Sequence, residues 1–486
     1  MKVFFFEPYA LAIPHYETAL ELMQLHVNSN DDVNLFYCNA DLNFCEANHH
    51  HSLPTCLQCI SRRKNGIKAI SGADKIRKRN FIKLSAEEEK IVKTWNRTFK
   101  DIHELKGYRY ENIDLGMAVA SSLISYHRNP EPDMIVAANF TNRIFKAALK
   151  VYFSFKRLLQ EERPDIVYLF NGRFSNIRPV VRLCELNSIN YKIHERGANK
   201  NKYSLSENHL PHDFNEFQKS IEEHWSADSK NVGIKIAETF YHDRKAGKEQ
   251  GWYSFVVSQT EKQLPENWNS ARRNIVIFNS SEDEFAAIGD TKKMRLFSNQ
   301  LEGVRHIANL IKDHKEACVY VRLHPNLKGI DDPTVAEIFK IQSDNFHVIE
   351  PSSTISSYQL IDSSDLVVTF GSTVGIEATF WGKPSVLLGD ALYQGLGSTY
   401  NPVSNEELSS LLLSENNPKP KLGAYKYGYY VSSYGIGFNF YVADGLFKGQ
   451  FKGNKIQPAP WIKKYLKRKA LLPIVNFISK LHADKY

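Results

Sequence analysis

Several things are scarce in this chain of 486 residues, and each scarcity excludes something. Six cysteines over this length do not make a disulfide scaffold, which points to a reducing compartment. No apolar run approaches the roughly 20 residues that a spanning helix needs. The opening Met1-Lys2-Val3-Phe4-Phe5-Phe6 is interrupted by Glu7 and Pro8, so it reads as a first strand and not as an export signal. No DNA- or RNA-binding motif is present, and no nucleic-acid partner is expected. No Asp-x-Asp pair stands at a strand end, where it would hold a divalent cation; Asp331-Asp332 lies in a loop before Pro333. The expected location is therefore cytoplasmic.

What is present is ordinary for a globular protein: 42% hydrophobic and 24% charged residues, enough for two or three domains. The net charge of +8 favours acidic ligands such as nucleotides, anionic glycans or lipid head groups.

The most informative stretch runs from Val367 to Gly389, VVTFGSTVGIEATFWGKPSVLLG. A β-branched run ending at Phe370 predicts a buried strand. Gly371, Ser372, Thr373 and Gly375 predict a small-residue turn, and Ile376 to Trp381 a helix with Glu377 in its first turn. Gly382 and Pro384 end the helix, and a strand restarts at Ser385. This is one βαβ unit, with its turn at the carboxyl end of a strand, where open α/β sheets bind ligands. Hydroxyls and backbone amides there suit a phosphate; an ordinary capped βα connection would look the same locally.

The same grammar recurs along the chain. Strands at 3–6 and 32–37, with a helix at 16–26, open a doubly wound domain. A long helical pattern covers 134–162. The strand 164–170 ends in Asn171-Gly172-Arg173, a turn with a fixed cation. The strand 191–194 ends in Glu195-Arg196-Gly197. Glu195 at such an edge suits a general base; alternatively it pairs with Arg196 or Arg173 and only holds the loops. Residues 205–251 look mainly helical, and 252–270 look like a connector. The second half repeats the pattern. A strand at 274–278 leads to Asn279-Ser280-Ser281, and one at 317–322 ends in Arg322 and Leu323-His324-Pro325-Asn326. A strand at 347–350 stops at Pro351. Four consecutive strands thus end in polar, small or histidine residues, which points to a shared ligand edge.

Three segments are less decisive. Cys38, Cys45, Cys56 and Cys59 fall close together with His49, His50 and His51 among them. The Cys56-x-x-Cys59 pair, with Cys45, is a weak candidate for a structural zinc site, the alternative being free thiols. Residues 61–100 are basic and read as a solvated helical surface. The Tyr-rich stretch 425–441 reads as packing under a loop. The tail from Trp461 is basic and amphipathic, with Lys463, Lys464, Lys467, Arg468 and Lys469 opposite Ile462, Tyr465 and Leu466. It suits an anionic membrane surface on the inner face of the cytoplasmic membrane, or packing back on the body.

Taken together, LHPN at 323–326, GSTVGIEATFWGKPSV at 371–386, FNGR at 170–173, HERG at 194–197 and NSSEDEF at 279–285 resemble a known family. It is the GT-B glycosyltransferases of bacterial capsule and O-antigen (lipopolysaccharide) synthesis, with the HP and Ser/Thr motifs of enzymes using CMP- or CDP-activated donors. The resemblance spans roughly residues 164–390. It implies an α/β protein of two doubly wound, Rossmann-like domains facing across a cleft. The acceptor domain would cover 1–255, the nucleotide-donor domain 270–440, and basic amphipathic helices 441–486. It implies a nucleotide-sugar donor, CMP- or CDP-linked by preference and UDP- or GDP-linked otherwise, no required cofactor or metal, and a lipid-linked or polymeric glycan acceptor.

Roles follow position by position. His324 would contact the donor phosphate, as a catalytic residue. Ser372 and Thr373, with the Gly371 to Gly375 backbone, would bind the same phosphate, with Ser280, Ser281 and Arg322 beside them. Glu377 would hold the ribose or orient the turn. Glu195 would be the catalytic base, although Arg196 stands where some relatives carry a second acid, which leaves the choice between His194 and Glu195 open. Asn171, Arg173 and His194 would meet the acceptor. Rival readings are a polyol- or sugar-phosphate transferase, a GT-B-fold nucleotide-sugar epimerase, and a non-catalytic scaffold of the assembly complex.

Overall fold

Two separate sheets organise the chain, one in each of two units: Met1–Pro211 with the chain from Gly435, and His212–Tyr434. The structure is a computed structural model and describes residues 1–227, 230–250, 254, 256–289, 294–330 and 332–459. The basic tail from Trp461 and Asp331 lie outside the described residues.

In the first unit the strands are β1 (Lys2–Glu7), β2 (Asp32–Tyr37), β3 (Arg77–Asn80), β4 (Ile166–Phe170), β5 (Asn190–Arg196) and β6 (Lys202–Glu207). Their order is β6-β5-β4-β1-β2-β3, with the short strand Ile436–Gly437 beyond β6. β1 to β5 run parallel, and β6 returns antiparallel beside β5. In the second unit, β7 (Arg273–Phe278), β8 (Ala317–Arg322), β9 (Phe346–Ile349), β10 (Leu366–Thr369) and β11 (Ser385–Leu387) form a wholly parallel sheet, ordered β11-β10-β7-β8-β9. In each unit the first strand lies between the second and the fourth, the doubly wound order, so each sheet has a switch point where strand order reverses.

Both faces of the second sheet are covered, which explains its uninterrupted apolar strands. Ile275, Ile277, Val319, Val321, Leu366 and Val368 pack in one core cluster. The residues between them, Val276, Phe278, Cys318, Tyr320 and Val367, pack in another. The alternation is the period of two of a strand applied to two buried faces.

Four expectations need correction. The helices Phe214–Ala227 and Lys230–Lys245 belong to the second unit, although the sequence reading ran the first domain to residue 255. Their aromatic faces meet the Tyr-rich helix Leu422–Ser433: Phe217 on Tyr430, and His224 and Trp225 on Tyr429. Helical periodicity reveals an apolar face but not its partner. Within 441–486, residues Tyr441–Gly445 and Lys448–Phe451 form a β-hairpin, not helix. Tyr441, Phe451 and Ile456 enter the first unit's core.

The basic segment 61–100 is not one solvated helical surface. Arg62 and Arg63 are buried, Arg62 against Glu17 and the Ala10 and Ile456 carbonyls. Arg77–Asn80 is an edge strand whose long charged side chains discourage further pairing. Glu195 and Arg196 lie within β5 rather than after it. Among the described residues, no helix is long and apolar enough to cross a membrane.

Candidate functional site

Register explains why one edge of the second sheet collects polar residues. Thr369 on β10 lies opposite Phe278 on β7, Phe278 opposite Arg322 on β8, and Arg322 opposite Ile349 on β9. Four strands therefore finish level, and their following loops gather at the carboxyl edge. A cavity of about 280 Å³ opens there, lined by Arg322, His324, Ser372, Thr373, Glu377 and, from the helix Lys230–Lys245, Arg244. Lys248, Asn279, Glu284 and Tyr358 also contribute. Cations outnumber carboxylates around it.

His324 sits just beyond β8, where Pro325 ends the ladder. Its Nδ1 accepts the Asn326 N–H at 3.1 Å, so the neutral ring carries its proton on Nε2. Its backbone N–H donates to Asn279 Oδ1 at 2.6 Å. Arg322 is 2% exposed. It donates to the Glu350 and Ser353 carbonyls, and its Nε is buried without a partner. Burial pulls its guanidinium down to about 10, still charged at neutral pH.

The turn after β10 is shaped by its glycines and by Tyr393. Gly371 has φ of 120°, which favours glycine. A side chain at Gly375 would meet the Tyr393 hydroxyl at 2.5 Å and Thr369 Oγ1 at 2.8 Å. That close approach lets the Tyr393 hydroxyl donate to the Ser372 carbonyl.

Glu377 is 3% exposed and is occupied by protein donors. Arg244 Nε and Nη2 reach Oε1 at 3.1 and 2.9 Å, Thr373 Oγ1 donates to Oε1 at 3.1 Å, and the Tyr358 hydroxyl donates to Oε2. Of the two roles the resemblance implied, this geometry suits orienting the turn, not holding a ribose. Ser280, Ser281, Gly371 and Gly375 do not line the cavity. Ser280 and Ser281 are buried, their hydroxyls without partners. Ser280 is held through its backbone by Gln300, which accepts its N–H at 2.8 Å and donates to its carbonyl at 3.1 Å.

The first unit's sheet edge carries a different chemistry. Asn171, at φ of 64°, ends β4 and donates from Nδ2 to Glu195 Oε1 at 2.6 Å. The Glu195 carboxylate is 20% exposed, with His15 Nδ1 4.0 Å from Oε2. Burial raises the Glu195 pKa against the opposing bond from Asn171, and burial lowers that of His15. A carboxyl held above its usual range beside a neutral imidazole can accept a proton. His194 corrects an expectation: it is fully buried, with Nε2 3.2 Å from Glu7 Oε1, and offers nothing to an acceptor. Strand alternation sends it to the face opposite Glu195. Arg173 donates to the hydroxyls of Ser121 and Ser125 at 2.9 Å each and lies over the Phe174 ring. Arg196 donates to the Leu446 and Ile13 carbonyls.

The zinc candidates Cys45, Cys56 and Cys59 line, with Cys38, a small pocket beside Pro8, Leu11 and Ile60. Burial raises all four thiols, Cys56 to about 12, which keeps them protonated. Cys59 accepts the Ala10 N–H and Cys56 the Asn48 side chain. Among the described residues no group of three or more His, Cys, Asp or Glu side chains is arranged to hold a metal ion.

Sequence reasoning missed Arg244, Tyr358, Tyr393 and His15. Arg244 sits 129 residues from Thr373, and none of the four lies in a recognisable motif.

Comparison with known proteins adds the following. Solved structures that resemble the chain include two transferases of Thermosulfurimonas dismutans. One is KpsC, β-Kdo 2,4 transferase, at 14% identity, covering 55% of this chain and 79% of that chain with a TM-score of 0.36. The other is KpsC, β-Kdo 2,7 transferase, at 16% identity, covering 64% and 88% with a TM-score of 0.33. A third is the UDP-GlcNAc 2-epimerase of Methanocaldococcus jannaschii in complex with UDP-GlcNAc and UDP, at 11% identity, covering 88% and 97% with a TM-score of 0.27. Likeness at these scores carries no argument about site or substrate. No curated protein matches the chain. Residues 294–441, which include His324 and the Ser372-Thr373 turn, match the family described as capsule polysaccharide biosynthesis protein, the group to which the sequence motifs had pointed.

Proposed function

We propose that the chain is a glycosyltransferase of bacterial surface-polysaccharide assembly, moving a sugar from a nucleotide-activated donor to a growing capsule-type glycan. The reading rests above all on Arg322, His324, Ser372 and Thr373, from different strand ends, lining one cavity of about 280 Å³. In this reading the donor phosphate occupies that cavity. As the bond to the sugar breaks, negative charge gathers on the phosphate. The His324 Nε2–H, the Arg322 guanidinium and the two hydroxyls stabilise it in a site where water competes poorly. In this reading the Arg322 charge and these donors supply the compensation that a divalent metal gives elsewhere, and transfer needs none. Glu195 takes the proton of the acceptor hydroxyl; Asn171 orients it and Arg173 supplies positive charge for an anionic acceptor. CMP- or CDP-linked donors are preferred on the motif resemblance.

The test is incubation with nucleotide sugar in the presence and absence of a glycan acceptor. Acceptor-dependent release of nucleotide, with no phosphate in the new linkage, is expected. Conversion of the donor without acceptor identifies an epimerase, and phosphate in the linkage a sugar-phosphate transferase. Undiminished polysaccharide production with Glu195→Gln and His324→Ala identifies a scaffold.

A further inference from the structure

The cavity is bordered by an arginine that no motif announces. Arg244 stands near the end of the helix Lys230–Lys245. Its side chain is 37% exposed, while its partner Glu377 is 3% exposed. Nε and Nη2 both reach Glu377 Oε1, and Nη2 also reaches Thr373 Oγ1 at 3.3 Å. The Thr373 hydroxyl in turn spends its proton on Glu377 Oε1. On the turn's other side, Tyr393 holds the Ser372 carbonyl. The Ser372-Thr373 turn is therefore clamped twice, by side chains from two distant parts of the chain.

We propose that Arg244 is the positioning residue of this turn, and that the Thr373 hydroxyl exchanges Glu377 for a phosphate oxygen when a nucleotide binds. The proposal rests on the reading of the cavity as the donor-phosphate site. Glu377 receives two N–H bonds from Arg244 and two O–H bonds, from Thr373 and Tyr358. Releasing the Thr373 bond leaves the carboxylate with three donors, so the exchange strands no buried charge.

Arg244 also donates to the Thr373 oxygen. The hydroxyl proton must then point away from the guanidinium, toward either Glu377 or the cavity. A lysine cannot replace it, because one ammonium cannot present a planar fork to a carboxylate and a hydroxyl together. The partly exposed guanidinium keeps positive charge on the cavity wall in either state.

Isothermal titration with CMP, CDP, UDP and GDP tests this on the full chain, as a cycle of Arg244→Lys and Thr373→Val. Each single variant is expected to bind the preferred nucleotide about tenfold more weakly, with a melting temperature within a few degrees of wild type. The double variant is expected to match the singles, because both remove the same oriented hydroxyl. Additive losses, near a hundredfold, or no loss in Arg244→Lys overturn the proposal. If Arg244→Lys does not fold, Arg244→Met combined with Glu377→Leu removes the buried carboxylate together with its cation and should fold. Weakened nucleotide binding by that pair supports the proposal, and wild-type affinity overturns it. A wild-type protein that binds none of the four nucleotides overturns the donor-site reading and this proposal with it. A wild type that binds while Arg244→Lys binds equally well overturns this proposal alone.

Discussion

Replacing Arg322 with methionine removes a cation that the second unit buries without a carboxylate partner among the described residues. Two opposing effects can be sized. Burial takes the guanidinium from 12.5 to about 10. At 1.36 kcal/mol per pH unit, this costs the ligand-free fold about 3 kcal/mol at neutral pH. The sign follows from linkage: a base whose pKa falls on folding opposes folding wherever it is charged. Against this stand the bonds to the Glu350 and Ser353 carbonyls, each worth about 1.5–3 kcal/mol when the donor is charged. The terms largely offset, so Arg322→Met should change stability by no more than about 3 kcal/mol, or about 6–12 °C in melting temperature.

Binding should respond differently. A phosphate would satisfy the unpartnered Nε and the charge at once. Losing one charged contact in a desolvated pocket costs about 2–3 kcal/mol, a 30- to 150-fold weaker Kd. Thermal melts without ligand, and calorimetric titration with the preferred nucleotide, read the two quantities separately. A collapse of stability with no selective loss of binding would make Arg322 a structural residue and refute the reasoning.

Other outcomes follow from the same geometry. Glu195→Gln should lower kcat by about 10²- to 10⁴-fold while leaving nucleotide affinity within twofold, measured by transfer assay and titration. Because burial raises the Glu195 pKa, wild-type transfer should fall as pH drops through a value above the ordinary carboxyl range. That limb should vanish in the Glu195→Gln residual rate. Asp114 is desolvated, yet hydrogen bonds from Arg178 and Arg182 take it down to about 2. From 3.8 this is about 2.5 kcal/mol, fully present above pH 4 and lost as pH falls toward 2. Asp114→Asn should therefore flatten the acid limb of stability in urea melts. Chelation by EDTA should leave the melting temperature unchanged, since among the described residues no group of three or more ligating side chains is arranged to hold a metal ion; a drop would restore the zinc reading.

The parts of this architecture legible beforehand were those written in local pattern. Apolar runs broken by Gly, Ser or Pro located β8 to the residue, and the other strands of the second sheet to within one or two. Their level register made the polar strand ends a shared edge. What stayed hidden depends on distance in sequence. Arg244 lies 133 residues from Glu377, and nothing local marks it. The partner of the Tyr-rich helix, and hence the unit to which residues 214–245 belong, is likewise a tertiary choice. The spacing of the cysteine cluster says nothing of side-chain geometry or desolvation. His194 and Glu195, adjacent in sequence, were separated only by knowing which face of β5 is buried.

The central claim is that the cavity of the second unit receives the phosphate of a nucleotide. It is tested most directly by thermal shift of the wild-type protein against CMP, CDP, UDP and GDP at millimolar concentration. At a hundredfold excess over Kd, binding adds about 2.7 kcal/mol, so at least one nucleotide should raise the melting temperature by about 5–10 °C. Four nucleotides without effect at that concentration would contradict it.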